Sequence, residues 1–502
     1  MRQLFMYFTG AFWGYYKKIL RSFGVNSIWQ NEKRKNHYPA LEGDISCDAA
    51  VIGGGLCGIL CAYKLSSAGL DTVLIEKNSI ASGQSAYSTA KVTLAMGKLL
   101  SDIASSHGEK AAVIFAKSID KAVSDYEKLI SEENICCSFE KLPCTLYSVN
   151  DTDTLAKIRD LTEKAGIRHE YGTSTQLPFK TAGTLKYENS AQYDPVAIIS
   201  ALAQRLTVYE NSPVIGYESG RVICENGSVT AKYTVVTTNY PAPSVVGGIF
   251  PYLLHRRMAH ACAFTGAETL YEMYVGADGG YNYRSFGDRL IVSGEGHISG
   301  LGKGNAYQRI EDSTRDNYKN AELVTRWCAE DCESTDHLPY IGRLGHRGEL
   351  FFAGGFGTWG TALSMVSAEL IQDLICGREN PAAALFSPGR FSLSASGSEL
   401  MKTVVRAVDG IVLSKLRPAE GDVSQLEIGD AMIVNYRGRK TGAYLDTERK
   451  LHLVGPVCPH KKCLLRWNSD DLTWDCPCHG SRFDPDGKLL TGPAERKLEQ
   501  KQ

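Results

Sequence analysis

The sequence has no excess of charge of either sign, no internal repeat and no long low-complexity segment. Its 55 lysine and arginine residues almost equal its 56 aspartate and glutamate residues, so the composition gives no indication of nucleic-acid binding. The 502 residues, 43% hydrophobic and 22% charged, are typical of a soluble globular protein with a large core and about three domains. We therefore expect small-molecule partners and no nucleic acid.

The first 24 residues lack acidic side chains and also lack the small-residue cleavage site of a signal peptide. Their uncharged run, from Gln3 to Tyr16, is too short to span a bilayer. Basic and aromatic residues together suit an interfacial amphipathic helix, and a helix packed on the protein's own surface explains them equally well. Peripheral membrane contact through residues 1–24 is therefore one of two interpretations.

Cysteine is plentiful, and most of the 15 cysteines are scattered along the chain. This distribution predicts a reducing compartment rather than a disulfide scaffold, so we expect a cytoplasmic protein, with the inner face of the membrane as the alternative. Four cysteines and two histidines are nevertheless crowded into "CPHKKCLLRWNSDDLTWDCPCH". This stretch contains two matched pairs, each with one thiolate and one imidazole: Cys458 with His460, and Cys476 with His479.

Two kinds of metal centre fit these four residues. Two cysteines and two histidines are a common ligand set for structural zinc. A Rieske [2Fe–2S] centre takes two cysteines on one iron and two histidines on the other, so each loop must supply one of each. The sequence meets that requirement, with Cys458 and Cys476 on one iron and His460 and His479 on the other. The spacing alone leaves both centres open.

The flanking segments "RWN", "TWDCPCHGSRFD" and "DGKLLTGPA" make the region resemble the Rieske fold over about Leu416 to Leu498. The resemblance implies a C-terminal, all-β Rieske domain at residues 416–502 that holds a [2Fe–2S] cluster on the four ligands. It also implies a disulfide bond between Cys463 and Cys478.

Four further residues bear on the properties of such a cluster. Ser481 matches a serine that can donate to a cluster sulfur, whereas Phe483 stands where high-potential Rieske proteins carry a tyrosine. Because hydrogen bonds to the sulfurs raise the potential, we expect an intermediate one. Lys461 and Lys462 replace the commoner Leu-Gly of this loop, and they favour an acidic or anionic electron acceptor unless they are simply solvated.

The segment "CDAAVIGGGLCGILCAYKLSSAGLDTVLIEK" predicts a dinucleotide site. A buried parallel strand, Ala49 to Ile52, leads into a glycine motif and a helix, and a second strand ends at Glu76. The glycines keep the turn tight and let backbone N–H groups approach a pyrophosphate, while the acid is placed to bind a ribose hydroxyl. The motif by itself does not distinguish FAD from NAD.

The next segments resemble the FAD-dependent glycine and D-amino-acid oxidase superfamily over about Ile45 to Phe386. These segments include "NSIASGQSAYSTAKVTLAMG", "DHLPYIGRLG" and "LFFAGGFGTWGTALSMVSAELIQDLI". The resemblance implies a Rossmann-type, glutathione-reductase-like α/β domain for FAD with an interleaved α+β substrate domain. The expected FAD-binding residues are Gly53, Gly55, Gly58, Glu76, Lys77, Ser82, Gly83, Ser85, Thr89, Val214, Gly355, Gly357 and Gly360.

These patterns divide the chain into four parts. Residues 1–44 form an N-terminal segment, 45–387 the flavoprotein domain, 388–415 a linker rich in serine and glycine, and 416–502 the Rieske domain. The combined resemblance implies an FAD-dependent oxidoreductase acting on C–N bonds of an amine or amino acid, with a cluster relay to an external acceptor. The alternatives are a redox sensor and an electron-transfer carrier, for instance to membrane quinone, with little amine turnover.

Asp331 bears on the substrate class. Simple amino-acid oxidases of this superfamily place an arginine for the substrate carboxylate between a tryptophan, here Trp327, and the element that begins at Pro339. Asp331 falls at or near that position. A carboxylate there repels an acid and attracts a cation, so we expect an amine such as a polyamine, unless Asp331 lies in a solvated loop.

Three other residues could lie near the flavin. Lys91 and His297 are weak candidates for a catalytic role, and a surface or core position explains each of them at least as well. Cys328 lies close to the point at which some relatives attach flavin covalently, but one residue out of register. We therefore expect FAD without a covalent link.

Overall fold

The computed structural model describes residues 26–30, 36–240, 243–247, 253–345, 348–390 and 418–501. The segment 1–24, for which membrane contact is one of two interpretations, lies outside these residues. Residues 391–415 of the predicted linker lie outside them as well. Among the helices of the described part, none combines the length and the apolar character needed to cross a membrane.

The first part of the described chain alternates strands and helices. Its strands, in chain order, are β1 (Gly43–Ile52), β2 (Thr72–Ile75), β3 (Lys91–Val92), β4 (Glu140–Lys141), β5 (Cys144–Ser148), β6 (Glu170–Gly172), β7 (Gly183–Tyr187), β8 (Ala191–Gln192), β9 (Thr207–Tyr209), β10 (Val214–Glu218), β11 (Arg221–Cys224), β12 (Gly227–Val236), β13 (Leu254–Thr265), β14 (Met273–Gly276), β15 (Asn282–Phe286), β16 (Arg289–Ile298), β17 (Glu322–Ser334), β18 (Tyr340–Arg343) and β19 (Leu350–Gly354). Its helices are α1 (Leu56–Ser67), α2 (Leu99–His107), α3 (Glu109–Glu132), α4 (Thr152–Lys164), α5 (Pro195–Ala203), α6 (Pro243–Val246), α7 (Ala306–Asn317), α8 (Gly360–Ile375) and α9 (Ala383–Phe386).

The first sheet has a Rossmann-type core. Strand β1 pairs in parallel with β2 on one side and β12 on the other, and β12 pairs in parallel with β19. Alternate side chains of β1 enter different apolar clusters, Ala49 on the side covered by α1 and α8, and Ala50 on the opposite side. Burial on both faces explains the continuous apolar sequence of these strands. Strand β1 starts at Gly43, earlier than its apolar run, because the polar residues before Ala49 also pair with β12.

The second sheet is mixed, in the order β17-β13-β16-β15-β14-β5-β7-β6. Its longest pairing is the antiparallel contact between β13 and β17, which places His260 opposite Cys328 and Arg257 opposite Asp331. Because successive side chains of a strand point to opposite faces, this pair presents one row of residues to each side. Neighbouring residues of β13 and β17 can therefore contact different parts of the molecule.

The C-terminal part is all-β, as predicted. It comprises a three-stranded sheet of β20 (Ala431–Tyr436), β21 (Arg439–Leu445) and β22 (Leu451–Val454), and a four-stranded sheet of β23 (Arg466–Asn468), β24 (Thr473–Asp475), β25 (Arg482–Phe483) and β26 (Leu489–Thr491). Trp474 and Phe483 lie in a shared core together with the four cysteines of the predicted metal region. The predicted fold class, an α/β flavoprotein with an interleaved α+β domain and an all-β C-terminal domain, is confirmed.

Candidate functional site

A cavity of about 2020 Å³ runs along the first sheet and under the second. Twelve of the thirteen predicted FAD-binding residues line it, although they come from five separate stretches between Gly53 and Gly360. The exception is Gly58. A segment of the C-terminal domain, Leu489 to Glu495, also lines the cavity. The space is therefore enclosed by both halves of the chain.

The glycine motif forms the turn between β1 and α1, beside the cavity. Gly53 has φ +113°, which favours glycine, and a Cβ on Gly58 would overlap the carbonyl oxygen of Gly53. Gly58 therefore lets α1 pack closely on β1, which is why it does not line the cavity. Gly55 precedes the first turn of α1, and the Leu56 N–H donates to Ser85 Oγ at 2.9 Å. A helix N-terminus that follows such a glycine turn fits a pyrophosphate.

Glu76 stands at the end of β2, on the wall of this cavity. Its carboxylate accepts hydrogen bonds from the N–H groups of Gly54, at 2.6 Å, and Asn78, at 2.7 Å. Burial raises the pKa of Glu76, and the two backbone hydrogen bonds oppose that shift. The position and the acceptor oxygens fit the ribose-binding role that the sequence predicts.

The second predicted glycine turn joins β19 to α8. Gly355 and Gly357 have φ values of +74° and +59°, and both line the cavity. The Gly357 N–H donates to the Cys332 carbonyl at 2.7 Å, which ties this turn to β17. Helix α8 begins at Gly360, beside the cavity. The arrangement brings a second helix N-terminus to the same space, where it can stabilise negative charge.

Asp331 occupies the interior of β17 and lines the cavity, so the interpretation of a solvated loop is wrong. Burial, followed by the charge of Glu333, raises the pKa of Asp331 to about 8, while Arg256 opposes the shift. Burial also acts on Glu333, but hydrogen bonds from His255 and His337, with the charge of Arg257, hold the pKa of Glu333 well below its usual range. One of the two neighbouring acids is thus ionised at neutral pH and the other is poised to ionise.

The other three candidates, Lys91, His297 and Cys328, occupy different surroundings. Lys91 lines the cavity, donates to Thr89 Oγ1 at 3.2 Å, and has a pKa that burial lowers to about 8. His297 is not among the lining residues, and its ring stacks on that of His260 with 5.4 Å between centroids. Because His260 itself lines the cavity, a role of His297 near the flavin stays a prediction. Cys328 lies within ligand reach of His260 and Asp471, toward the C-terminal domain.

The predicted metal ligands converge on two adjacent loops. Cys458 and Cys476 are fully buried, and the rings of His460 and His479 lie 5.0 Å apart between centroids, nearly perpendicular. Nδ1 of His460 is buried and has no hydrogen-bond partner among the described residues, as a metal-ligating nitrogen requires. The donor set fits two cysteines and two histidines on a [2Fe–2S] cluster.

A disulfide bond joins Cys463 to Cys478, one residue from each loop. This is the pairing that the Rieske resemblance implies. Gly480, with φ +78°, lets the second loop turn sharply after His479. The Ser481 hydroxyl accepts a hydrogen bond from the Ala494 N–H at 3.0 Å, so this serine also ties the loop to the segment that lines the cavity.

Sequence reasoning missed the charged contact between the two halves of the chain. Arg482 of β25 binds Asp475, with Nε 3.0 Å from Oδ1, and Asp471, with Nη2 2.8 Å from Oδ2, and it also binds Glu330 of β17. Arg256 of β13 donates to the same Glu330 at 3.0 Å. These side chains are largely buried. The available signal was Arg482 next to the apolar Phe483 in the segment "SRF", but this pattern does not indicate which residues bind the arginine.

The chain resembles known proteins over most of its length. Residues 48–374 match the family described as FAD dependent oxidoreductase, and residues 413–502 match the Rieske [2Fe-2S] domain. A putative Rieske 2Fe-2S iron-sulfur protein of Bacillus subtilis is 28% identical over 94% of this chain and 97% of its own. Gamma-glutamylputrescine oxidoreductase of Escherichia coli is 24% identical over 68% of this chain and 86% of its own.

Solved structures agree on the fold of the first part. Glycine oxidase from Geobacillus kaustophilus superposes with a TM-score of 0.60 at 17% identity, over 69% of this chain and 100% of its own. L-proline dehydrogenase from P. horikoshii gives a TM-score of 0.59 at 18% identity, over 70% of this chain and 98% of its own. At these identities the likeness concerns the fold.

Proposed function

Because the chain belongs to the FAD-dependent oxidoreductase family and ends in a Rieske domain, with FAD and a [2Fe–2S] cluster as its cofactors, we propose that it is an amine dehydrogenase. When bound, FAD would supply a two-electron oxidation of a substrate C–N bond, and the [2Fe–2S] cluster on Cys458, His460, Cys476 and His479 would supply one-electron transfer to an external acceptor. The residues of this chain bind the amine, hold the two cofactors and fix the distance between them.

One observation carries the proposal: the cluster domain packs against the same strands that line the flavin cavity. Asp331 of β17 lines that cavity, and the preceding residue, Glu330, binds Arg482 three positions after the cluster ligand His479. A sheet is a thin layer, since stacked sheets lie only about 10 Å apart. The buried ion pairs hold the domain in one place, which supports direct transfer between the centres.

The substrate we propose is a cationic amine without a carboxylate at its reacting end. Asp331 stands where the superfamily resemblance leads us to expect an arginine for a carboxylate, and Glu295 and Glu333 add two more acids to the cavity wall. Carboxylates there attract ammonium groups and repel amino-acid carboxylates. The relative named gamma-glutamylputrescine oxidoreductase supports an amine substrate.

An anaerobic titration tests this proposal. The purified protein is mixed with monoamines, diamines and amino acids while visible absorbance and EPR spectra are recorded. We expect diamines or other cationic amines to bleach the flavin, after which a Rieske-type EPR signal grows. If dithionite produces that signal and no amine bleaches the flavin, the protein is better explained as a redox sensor or an electron carrier.

The pKa of Asp331 gives a prediction about pH. Because the pKa is raised to about 8, the carboxyl group is neutral below that pH and ionised above it. We expect KM for a cationic amine to fall as the pH rises from about 7 to 9. Asp331→Asn removes this dependence and raises KM at pH 9 roughly 10- to 100-fold, the effect of losing a hydrogen bond to a charged group worth about 1.5–3 kcal/mol.

The same shift makes the folded state less stable as the pH rises from about 4 to 8, because the Asp331 carboxyl ionises in the unfolded chain over this range but stays protonated in the folded one. For the KM experiment with Asp331→Asn, the matched control is Glu349→Gln. Glu349 forms an ion pair with the exposed Arg343 at 2.7 Å and does not line the cavity, so its loss should leave KM unchanged. An Asp331→Asn variant whose KM follows pH as the wild type does would contradict the assignment of Asp331 to amine binding.

A further inference from the structure

The two cluster loops differ in what covers them. The second cluster loop, residues 476–481, is buried throughout. It packs against the flavoprotein domain at two points: a Cβ on Gly300 would meet the backbone of Pro477, and a Cβ on Gly480 would overlap the side chain of Arg256. No carrier protein can therefore reach the cluster from this side while the domains are packed.

The first cluster loop, residues 456–465, faces outward. Pro459 and His460 are half-buried, and Lys461 and Lys462 are exposed. Residues 457–468 contain no acidic side chain. Besides Lys461 and Lys462, Arg466 is a third exposed cation of this segment. This half of the cluster region is thus accessible and basic.

Two acidic neighbours reduce this positive charge only in part. Glu495 is exposed, and its charge acts on His460. Asp470 faces the flavoprotein domain, where it accepts a hydrogen bond from the Ala306 N–H at 3.1 Å. By formal charge the exposed residues of segment 457–468 are therefore basic, and Glu495 offsets that charge in part.

We propose that an acidic one-electron carrier protein docks on the first cluster loop, over His460, Lys461 and Lys462, and oxidises the cluster there. This inference rests on the proposed function and names its acceptor. At each docking the cluster loses one electron and the carrier gains one, and no bond forms or breaks. Two reduced carriers therefore leave for each amine oxidised. Complementary charge across such a contact raises association rates by about 10- to 1000-fold at low salt.

The test uses the full-length holoprotein, with its cluster reduced by dithionite and the excess removed. Stopped-flow absorbance follows oxidation of the cluster by an acidic blue-copper protein or by a basic cytochrome c, at low and high ionic strength. We expect the acidic protein to react faster at low ionic strength and to lose that advantage as salt screens the charges. The basic protein shows the opposite salt dependence.

Charge reversal locates the docking surface. Lys461→Glu with Lys462→Glu lowers the rate with the acidic protein at least about 10-fold at low salt and raises the rate with the basic one. A change of cluster potential alone would move both rates in the same direction. The control, Lys450→Glu with Lys488→Glu, makes the same change in net charge at two exposed lysines of this domain and leaves both rates within about twofold.

Any of three results would overturn the proposal. The two pairs of variants could change the oxidation rates equally, or the wild type could react faster with the basic protein at low ionic strength. A neutral quinone could also oxidise the cluster faster than the acidic protein does, at a rate that is unchanged in the Lys461/Lys462 variant. The last result favours a membrane acceptor. Because dithionite reduces the cluster directly, these outcomes do not depend on amine turnover. The docking proposal and the amine dehydrogenase proposal can thus fail separately.

Discussion

We expect Cys476→Ser to keep its FAD, and we expect an amine still to bleach the flavin absorbance. The variant should show no Rieske EPR signal and should pass no electrons to a carrier. Cys476 is buried beside Cys458, and each of the two loops supplies a single cysteine ligand. Removing one thiolate therefore leaves an iron without its ligand set, and the cluster is lost. Iron content and EPR measure the loss, and flavin absorbance measures what remains.

Cys376→Ser is the matched control, because Cys376 is an exposed, free cysteine at the end of α8. We expect its iron content, spectra and carrier reduction to equal those of the wild type. A normal Rieske spectrum in Cys476→Ser would refute the ligand assignment. Carrier reduction at the normal rate without a cluster would instead refute the relay.

Gly55→Leu produces the reverse outcome, a protein with an intact cluster and no bound FAD. Gly55 has an ordinary extended conformation, φ −81° and ψ 179°, and a Cβ there meets only Ser85 Oγ at 3.2 Å. The backbone therefore tolerates a side chain, but that side chain fills the space through which a pyrophosphate approaches the start of α1. We expect the dissociation constant for FAD to rise more than about a hundredfold, a loss of about 2.7 kcal/mol.

The flavin released on denaturation measures this effect, and the Rieske EPR signal shows that the chain has folded. Gly55→Ala carries a smaller side chain and should fall between the wild type and Gly55→Leu. Gly389→Leu is the control, because Gly389 is exposed and a Cβ there would meet only Ser387 Oγ, at 3.5 Å. Full flavin content in Gly55→Leu would argue against the dinucleotide site.

The glycine motif and the cysteine–histidine pairs could be predicted because each depends on local constraints. Gly53 needs a backbone conformation that favours glycine, and Gly58 needs the absence of a Cβ, so both leave a mark in a short stretch of sequence. The matched spacing of Cys458 with His460 is equally local. The fold class followed from the resemblance that these motifs and their flanking segments bear to two known families.

The parts that escaped prediction depend on contacts between distant residues. Arg482 and Glu330 form their ion pair across 152 positions, and no periodic pattern in either segment indicates the other. Asp331 could be placed by its distance from Trp327, but the antiparallel pairing with β13 puts it inside a strand. The ring of His297 stacks on that of His260, a residue of another strand, and the sequence around either histidine does not indicate this contact.

The segment Leu489 to Glu495 forms part of the cavity wall although it belongs to the Rieske domain. Substitutions there can alter which substrates are accepted and the shape of the cluster domain at the same time. The two halves are therefore not interchangeable modules in evolution or in protein engineering. A different Rieske domain joined to this flavoprotein would have to supply both the cavity-lining segment and an arginine that binds Glu330 to keep this packing.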